Sequence, residues 1–488
     1  MEFMIVHRKY FGVMLLGLAA TWSVGCAGYA GQVEGMRTAL AAGDKAGALK
    51  HIDEALDLGG PDEYPLKVES DTSLLLLERA SVKQASFLFR ESSYDFRIAD
   101  QNVELLDVKN NTVGEISKWI FSGDSGIYRA PAHEKLMLNT LNMLNYLAMS
   151  NLESARVEAR RFDIMQQYLA DSTDDKLNNV GVLGIGDYLA GFTFEMSGRY
   201  EQALQYYSAA LNVHDYPSLN SVLPELAACT SYRDDDINQR LSVLAAQSDA
   251  VMSPVSIDGE TAETEPVSTV SVCRHPDRQT GTLLVISSIG LAPHKKATRL
   301  PVGAAVVIAG AYLAPQEMAQ ANDFAVKGLL KWVNFSELVE TPSRYSSVSV
   351  QVGSAGVPLE YGENLSKVVK ESFDETKGKL IAAAIVRMIA RAVAGAATNA
   401  AVSSGSGKDG LGLLAQVLVE GAMTVADTPD TRCWNALPGN IFISRMEIPA
   451  GKHQVTVHFQ GASGVNNVTR EITVQPGGFA VVPVNQLR

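Results

Sequence analysis

Three short segments carry residue types that could make or break bonds. In Gly123-Asp124-Ser125-Gly126 a serine stands between an aspartate and a glycine, the order in which a hydrolytic hydroxyl is often presented. A nucleophilic serine needs a base and a rigid β framework behind it. This one lies between helical stretches, so a turn is the better reading. In Ser406-Gly407-Lys408-Asp409 a lysine follows glycine as in a phosphate-cradling loop, but Val402 takes the place of the leading glycine and Asp409 that of the magnesium-binding hydroxyl. Gly181–Gly191 is glycine-rich yet follows no strand, so close helix packing explains it better than a dinucleotide. The eight histidines include no His-Glu-x-x-His pair, and the cysteines have no zinc spacing. His294, His453 and His458 fall in expected loops or strands. The expectation is therefore a chain without a metal or cofactor, and not an enzyme.

The side chain whose chemistry is best specified is Cys26. A short basic segment (His7, Arg8, Lys9) and an apolar run from Phe11 to Val24 precede it, with Gly25 directly before the thiol. Charged start, short apolar core and small residues at the cut describe a secretory signal over 1–25, too short for a spanning helix. Ser23-Val24-Gly25-Cys26 also resembles the bacterial box in which cysteine is lipidated and becomes the mature N-terminus, although Ser23 replaces its usual leucine. With Cys26 acylated, Cys229, Cys273 and Cys433 remain. A Cys229–Cys273 disulfide is the pairing that keeps both thiols outside the last segment, though spacing cannot fix it.

A second chemical feature is the basic cluster Arg156, Arg160 and Arg161 in ARVEARR, with Arg156 and Arg160 one helical turn apart. Such a face can receive a carboxylate-bearing peptide, or simply pair with its own acidic neighbours. Tyr188, Phe192 and Glu195 on a neighbouring helix are candidates to line the same groove.

These residues need a helical scaffold to position them. Gly198–Leu211 (GRYEQALQYYSAAL) places a turn residue before an aromatic, with Ala203, Tyr207 and Ala210 at helical spacing. Asp187–Ser197 supplies the partner helix, with Ala190 and Gly191 where the two would cross closely. The pattern is that of a tetratricopeptide repeat, a unit of about 34 residues. Weaker copies align at Ala41–Leu56, Glu78–Asp100 and Leu141–Phe162. Their key small residues Ala48, Ser92, Ala155 and Ala203 lie 44, 63 and 48 residues apart, which implies insertions such as Asn110–Pro131.

The remainder of the chain changes character. Ser253–Ser271 is rich in Ser, Thr, Glu and Pro and reads as a linker. Strands are expected at Thr282–Gly290, Ser346–Gly353, Asn440–Ile448, His453–Gly461, Asn467–Gln475 and Gly478–Val484. Gly362–Val402 reads as one long helix, apolar from Lys379 to Ala401 but interrupted by Arg387 and Arg391, four apart. Each charge would cost roughly 2.5–3.5 kcal/mol in a bilayer, so a core helix with one basic edge is expected rather than a span. The fold class expected is α+β and multidomain: a signal peptide (1–25), a tetratricopeptide-like helical solenoid (26–246), a linker (247–275), a mixed α/β region (276–425) and a small antiparallel β module (426–488).

Composition excludes some partners. The formal charge of -13 becomes near -14 when residues 1–25, which carry a net +1, are removed. Nucleic acid is not an expected partner for so acidic a chain.

Three blocks together, Glu134–Arg161, Gly281–Pro301 and Ala426–Val457, resemble a family of poorly characterised bacterial envelope lipoproteins with tetratricopeptide-like helices and a C-terminal β region. Cys433 departs from the small hydroxyl residue expected there. The resemblance implies an outer-membrane protein facing the periplasm, and Ala27 after the cysteine fits that sorting. The expected function is a scaffold that binds periplasmic or outer-membrane protein partners in peptidoglycan synthesis activation or a secretion complex. The alternatives are a cell-wall enzyme with its site in the C-terminal half and a subunit of an oligomeric envelope channel.

Overall fold

The computed structural model describes residues 28–68, 71–105, 128–170, 183–251, 279–328, 330–403, 429–462 and 464–488. Its N-terminal part is built from helical hairpins: α1 (Tyr29–Ala42) with α2 (Lys45–Ala55), α3 (Thr72–Ala85) with α4 (Phe89–Asn102), α5 (Ala132–Ala148) with α6 (Leu152–Ala170), and α7 (Gly184–Met196) with α8 (Tyr200–Leu211). Helices α9 (Leu219–Ala228) and α10 (Asp235–Val251) follow, and a short parallel pair, β1 (Glu104–Leu105) and β2 (Arg129–Ala130), lies between the second and third hairpins.

One local geometry makes all four hairpins. Gly43, Phe87, Ser150 and Gly198 each have positive φ, 82°, 63°, 56° and 70°. The next amide in each case reaches back to a carbonyl five residues earlier: Asp44 to Ala39, Leu88 to Lys83, Asn151 to Tyr146, Arg199 to Phe194. This left-handed stop satisfies the orphan carbonyls and turns the chain at a fixed angle. Five residues after each turn comes the small side chain picked out by the sequence pattern, and Ala48, Ser92, Ala155 and Ala203 are all fully buried. Small residues there let the two helices approach closely.

Gly191 shows how close. A Cβ added to it would lie 2.5 Å from Cδ1 and 2.6 Å from Cε1 of the buried Tyr207 ring. Gly191→Ala gains about 1 kcal/mol of helix propensity and incurs roughly 1–3 kcal/mol of overpacking. The expected net result is a loss of about 1 kcal/mol, read from the chemical-denaturation midpoint.

The β strands form two stacked sheets. β3 (Thr280–Leu291) lies between β12 (Phe479–Gln486), to which it is parallel, and β9 (Pro438–Pro449), whose other edge carries β8 (Glu360–Asn364). The second sheet has the order β11 (Gly464–Val474), β10 (Gly451–Gly461), β6 (Ser347–Val352), β7 (Ala355–Val357), all antiparallel. Alternate β3 side chains face opposite ways: Leu284 and Ile286 join the helical core, while Leu283 and Val285 join a core shared with Val350, Val455, Val457 and Phe459. The first sheet is thus a middle layer, which is why β3 reads as a continuous apolar run.

The expected division at residue 426 needs correction. The last four strands do not close on themselves, because β9 and β12 flank β3 while β10 and β11 extend β6. Central strands of a sheet must pair on both edges, and β3 recruits its partners from the far end of the chain.

A fourth body adjoins this stack through the long helix. β4 (His294–Pro301) and β5 (Trp332–Val339) form an antiparallel ribbon joined through α11 (Val302–Ala309) and α12 (Pro315–Val326). The long helix α13 (Leu365–Ser403) packs Ile381, Ala382 and Ile385 into its core beside Val302, Ala305, Val333 and Phe335. Among the described residues no helix is long and apolar enough to cross a membrane.

Candidate functional site

The inner wall of the hairpin array is where most of the unusual chemistry collects. Helices α3, α5 and α7 are buried on nearly every side, because the middle sheet and the segment leading into β9 lie across them. Burial of Leu and Met explains part of this wall, but the same helices also carry ionisable groups into it.

The segment Asp430–Leu437 is held by carboxylates from two of these helices. Glu78 of α3 accepts from the amides of Asn435 (2.6 Å) and Ala436 (2.7 Å), from Asn435 Nδ2 (2.9 Å), and from the Tyr29 hydroxyl (2.6 Å). Glu134 of α5 accepts from the amide of Trp434 (3.0 Å) and the hydroxyl of Tyr128 (2.5 Å). Three consecutive amides therefore converge on two buried carboxylates, an arrangement suited to holding anions. Trp434 Nε1 donates to Ser81 Oγ at 3.0 Å, and its ring meets Phe96 edge-on at 5.7 Å. Arg432 pairs with Asp430 (2.9 Å) and Asp71 (3.2 Å). Burial pushes Glu78 up to about 7 despite its four donors, and raises Glu134 as well.

The three blocks singled out in the sequence meet here. Glu134 belongs to the first and Trp434 to the last, and the amide of Lys295, from the middle block, donates to Cys433 Sγ at 3.3 Å. Burial drives the Cys433 thiol up to about 12, which leaves it without thiolate character. Neighbouring His133 is held down to about 3 by burial and by Lys295.

At the far end of the wall lies a cavity of about 400 Å³ between α7, α9, β8 and β9. Glu195, Glu225, Glu360 and Glu447 line it together with Arg445. Arg445 forms a forked pair with Glu195 (2.6 and 2.8 Å), donates to Tyr207 (2.9 Å), and lies over the Phe192 ring. Ser218 donates through its hydroxyl (2.5 Å) and amide (2.8 Å) to Glu360, whose carboxyl is raised by burial. No imidazole among the described residues lines this space. Among the described residues no group of three or more His, Cys, Asp or Glu is arranged to hold a metal ion.

The residues expected to bind a partner do not form one surface. Tyr188, Phe192 and Glu195 are buried, because the sheet occupies that side of α7: Tyr188 bonds Ser218 at 2.8 Å, Phe192 meets Phe479, and only Glu195, paired with Arg445, reaches the cavity. Arg156 is half-buried and donates to Ser197. Arg160 and Arg161 are exposed on α6, with Arg161 shared between Asp100 (3.3 Å) and Glu158 (3.5 Å). Cys26, Ser125, Lys408 and Cys273 lie outside the described residues. Cys229 is disulfide-bonded, its partner also lies outside them, and Cys433 is free. Glu78, Tyr29 and Arg445, the cavity partner of Glu195, were missed because nothing in one sequence marks a buried charge as a partner for a segment hundreds of residues away.

Compared with protein-family models and with curated proteins, the chain matches none.

Proposed function

We propose that this chain is a lipoprotein of the outer membrane, anchored through Cys26 and facing the periplasm, whose hairpins form a tetratricopeptide-like solenoid that binds an envelope-assembly protein. The four left-handed turns, each followed five residues later by a buried small residue, support the repeat reading. The usual inner groove of such an array is filled by the chain itself, so a partner is left the outer faces of the second helices.

One observation carries this choice. On α6, Val157, Arg160, Arg161, Ile164 and Tyr168 are all exposed and recur at three- or four-residue spacing, with Ile164 64% exposed. Apolar and aromatic side chains beside arginine are the composition of an interface centre. The Arg160 guanidinium suits a carboxylate on the partner. The test is crosslinking in intact envelopes with wild type and with Val157→Asp/Ile164→Asp. A stoichiometric protein captured by wild type and lost from the variant is the expected result. Equal capture by both, or turnover of purified murein by the purified chain, would overturn the reading.

A further inference from the structure

The lobe made by β4, α11, α12 and β5 has a surface that its surroundings do not explain. From Leu300 to Gln316 there is no charged residue. Helix α11 turns Val302, Ala305 and Ala309 inward, yet what it leaves outside is also apolar: Gly303, Ala304, Val307 and Ile308. Val307 is 83% exposed, and Val326 at the end of α12 is 89% exposed. A helix that is apolar all round belongs in a core or against something apolar. Trp332 adds a half-exposed ring at the base of α11, paired in register with Pro301.

The charge around this face is opposite to that of the protein. Residues 294–339 hold five Lys and Arg against three Asp and Glu, a net +2 in a chain of net -13. Lys296, Arg299, Lys327 and Lys331 are exposed on the same lobe. Of the three acidic groups, Glu317 accepts from the Ala314 amide at the start of α12 (2.8 Å), Asp323 pairs with Lys327 at 2.6 Å, and Glu337 stands opposite Lys296 in the ribbon.

We infer that this lobe is a membrane-contact surface, with α11 and the end of α12 entering the headgroup boundary of an anionic bilayer while the basic rim and Trp332 rest at its surface. Exposed apolar residues on a short helix, tryptophan beside them and cations on the same lobe are what an interfacial helix requires. A protein partner is the weaker fit. The exposed side of α11 has no hydrogen-bonding side chain and no arginine or aromatic anchor with which to specify one. The inference does not rest on lipidation of Cys26 or on binding by the hairpin array.

Co-sedimentation tests it, using the unlipidated chain 27–488, which contains every described element. The probe is phosphatidylethanolamine–phosphatidylglycerol vesicles, with phosphatidylcholine vesicles as the neutral comparison. Wild type is expected to bind the anionic vesicles more tightly than the neutral ones, with weaker binding as salt rises. Val307→Asp/Val326→Asp is expected to lower the partition by about tenfold or more. Both positions are exposed, so the variant should keep the wild-type unfolding midpoint. Absence of wild-type binding, or equal binding by a folded variant, overturns the inference. So does self-association of wild type that the variant loses without any lipid binding, which would assign the face to a second copy.

Discussion

Replacing Glu78 with alanine is expected to release the segment that enters β9 and to destabilise the protein by roughly 3–6 kcal/mol. The side chain is fully buried and is the acceptor for two backbone amides, one side-chain amide and one tyrosine hydroxyl. Each buried donor left without a partner costs about 1–3 kcal/mol, and the alanine leaves several at once. Trp434 lies one residue before these amides and is itself buried against Phe96, so its emission should move to longer wavelength as the segment comes free. A variant with an unchanged midpoint and unchanged Trp434 emission would show that the segment is held by its apolar contacts alone.

The same carboxyl gives the fold a pH dependence of known sign. Burial raises Glu78 from 4.5 to about 7, so its stabilising contribution is complete below 4.5 and is lost as pH rises through 7. Glu78→Gln does not titrate. Between pH 8 and pH 5 the wild type should therefore gain stability relative to that variant, by about 1–3 kcal/mol on the linkage scale. The comparison removes the opposing histidines. Burial holds His133 to about 3, and burial with Arg37 holds His294 to about 4, so both lose stability as pH falls from 6.5. A wild-type-minus-variant difference that stays flat across this window would place Glu78 in water.

The helices were largely readable because local chemistry makes them. Gly198 announced the fourth hairpin, since glycine is the easy residue for a left-handed stop. The second and third hairpins use Phe87 and Ser150 at the same place, which explains why their copies of the pattern looked weak. The six strands expected from their apolar and alternating patterns are present, whereas β4, β5, β7 and β8, and the helices α11 and α12, were not anticipated. What one sequence could not show was which strands pair. The Pro476-Gly477-Gly478 turn suggests a hairpin between β11 and β12, but β12 instead leaves that sheet and runs parallel to β3. The same blindness to long-range pairing put Tyr188, Phe192 and Glu195 in an open groove. Their spacing on α7 was read correctly, but the sheet that covers them comes from elsewhere in the chain.

That covering depends on Arg445. The guanidinium and the Glu195 carboxylate are both nearly inaccessible, 5% and 4% exposed, and join α7 to β9 in the wall of the cavity. Removing one partner of a buried pair leaves an uncompensated charge, so Arg445→Met is expected to cost about 3–5 kcal/mol. The Tyr207 hydroxyl already donates to Glu195 at 2.6 Å and cannot neutralise it. Changing both partners removes the stranded charge, so Arg445→Met/Glu195→Gln should be markedly more stable than the sum of its single variants predicts. A double-mutant cycle by chemical denaturation should give a coupling of at least about 2 kcal/mol, within the range of residues in direct contact. The functional consequence follows from position. Without this pair the fourth hairpin loses a polar tie to the sheet, and Phe192, which also meets Phe479, loses its contact with the Arg445 guanidinium. Faster protease cleavage near α7 in Arg445→Met, restored in the double variant, would show that the inner wall of the array is closed by electrostatic pairing. Additive energies with no change in cleavage would show that apolar packing closes it unaided.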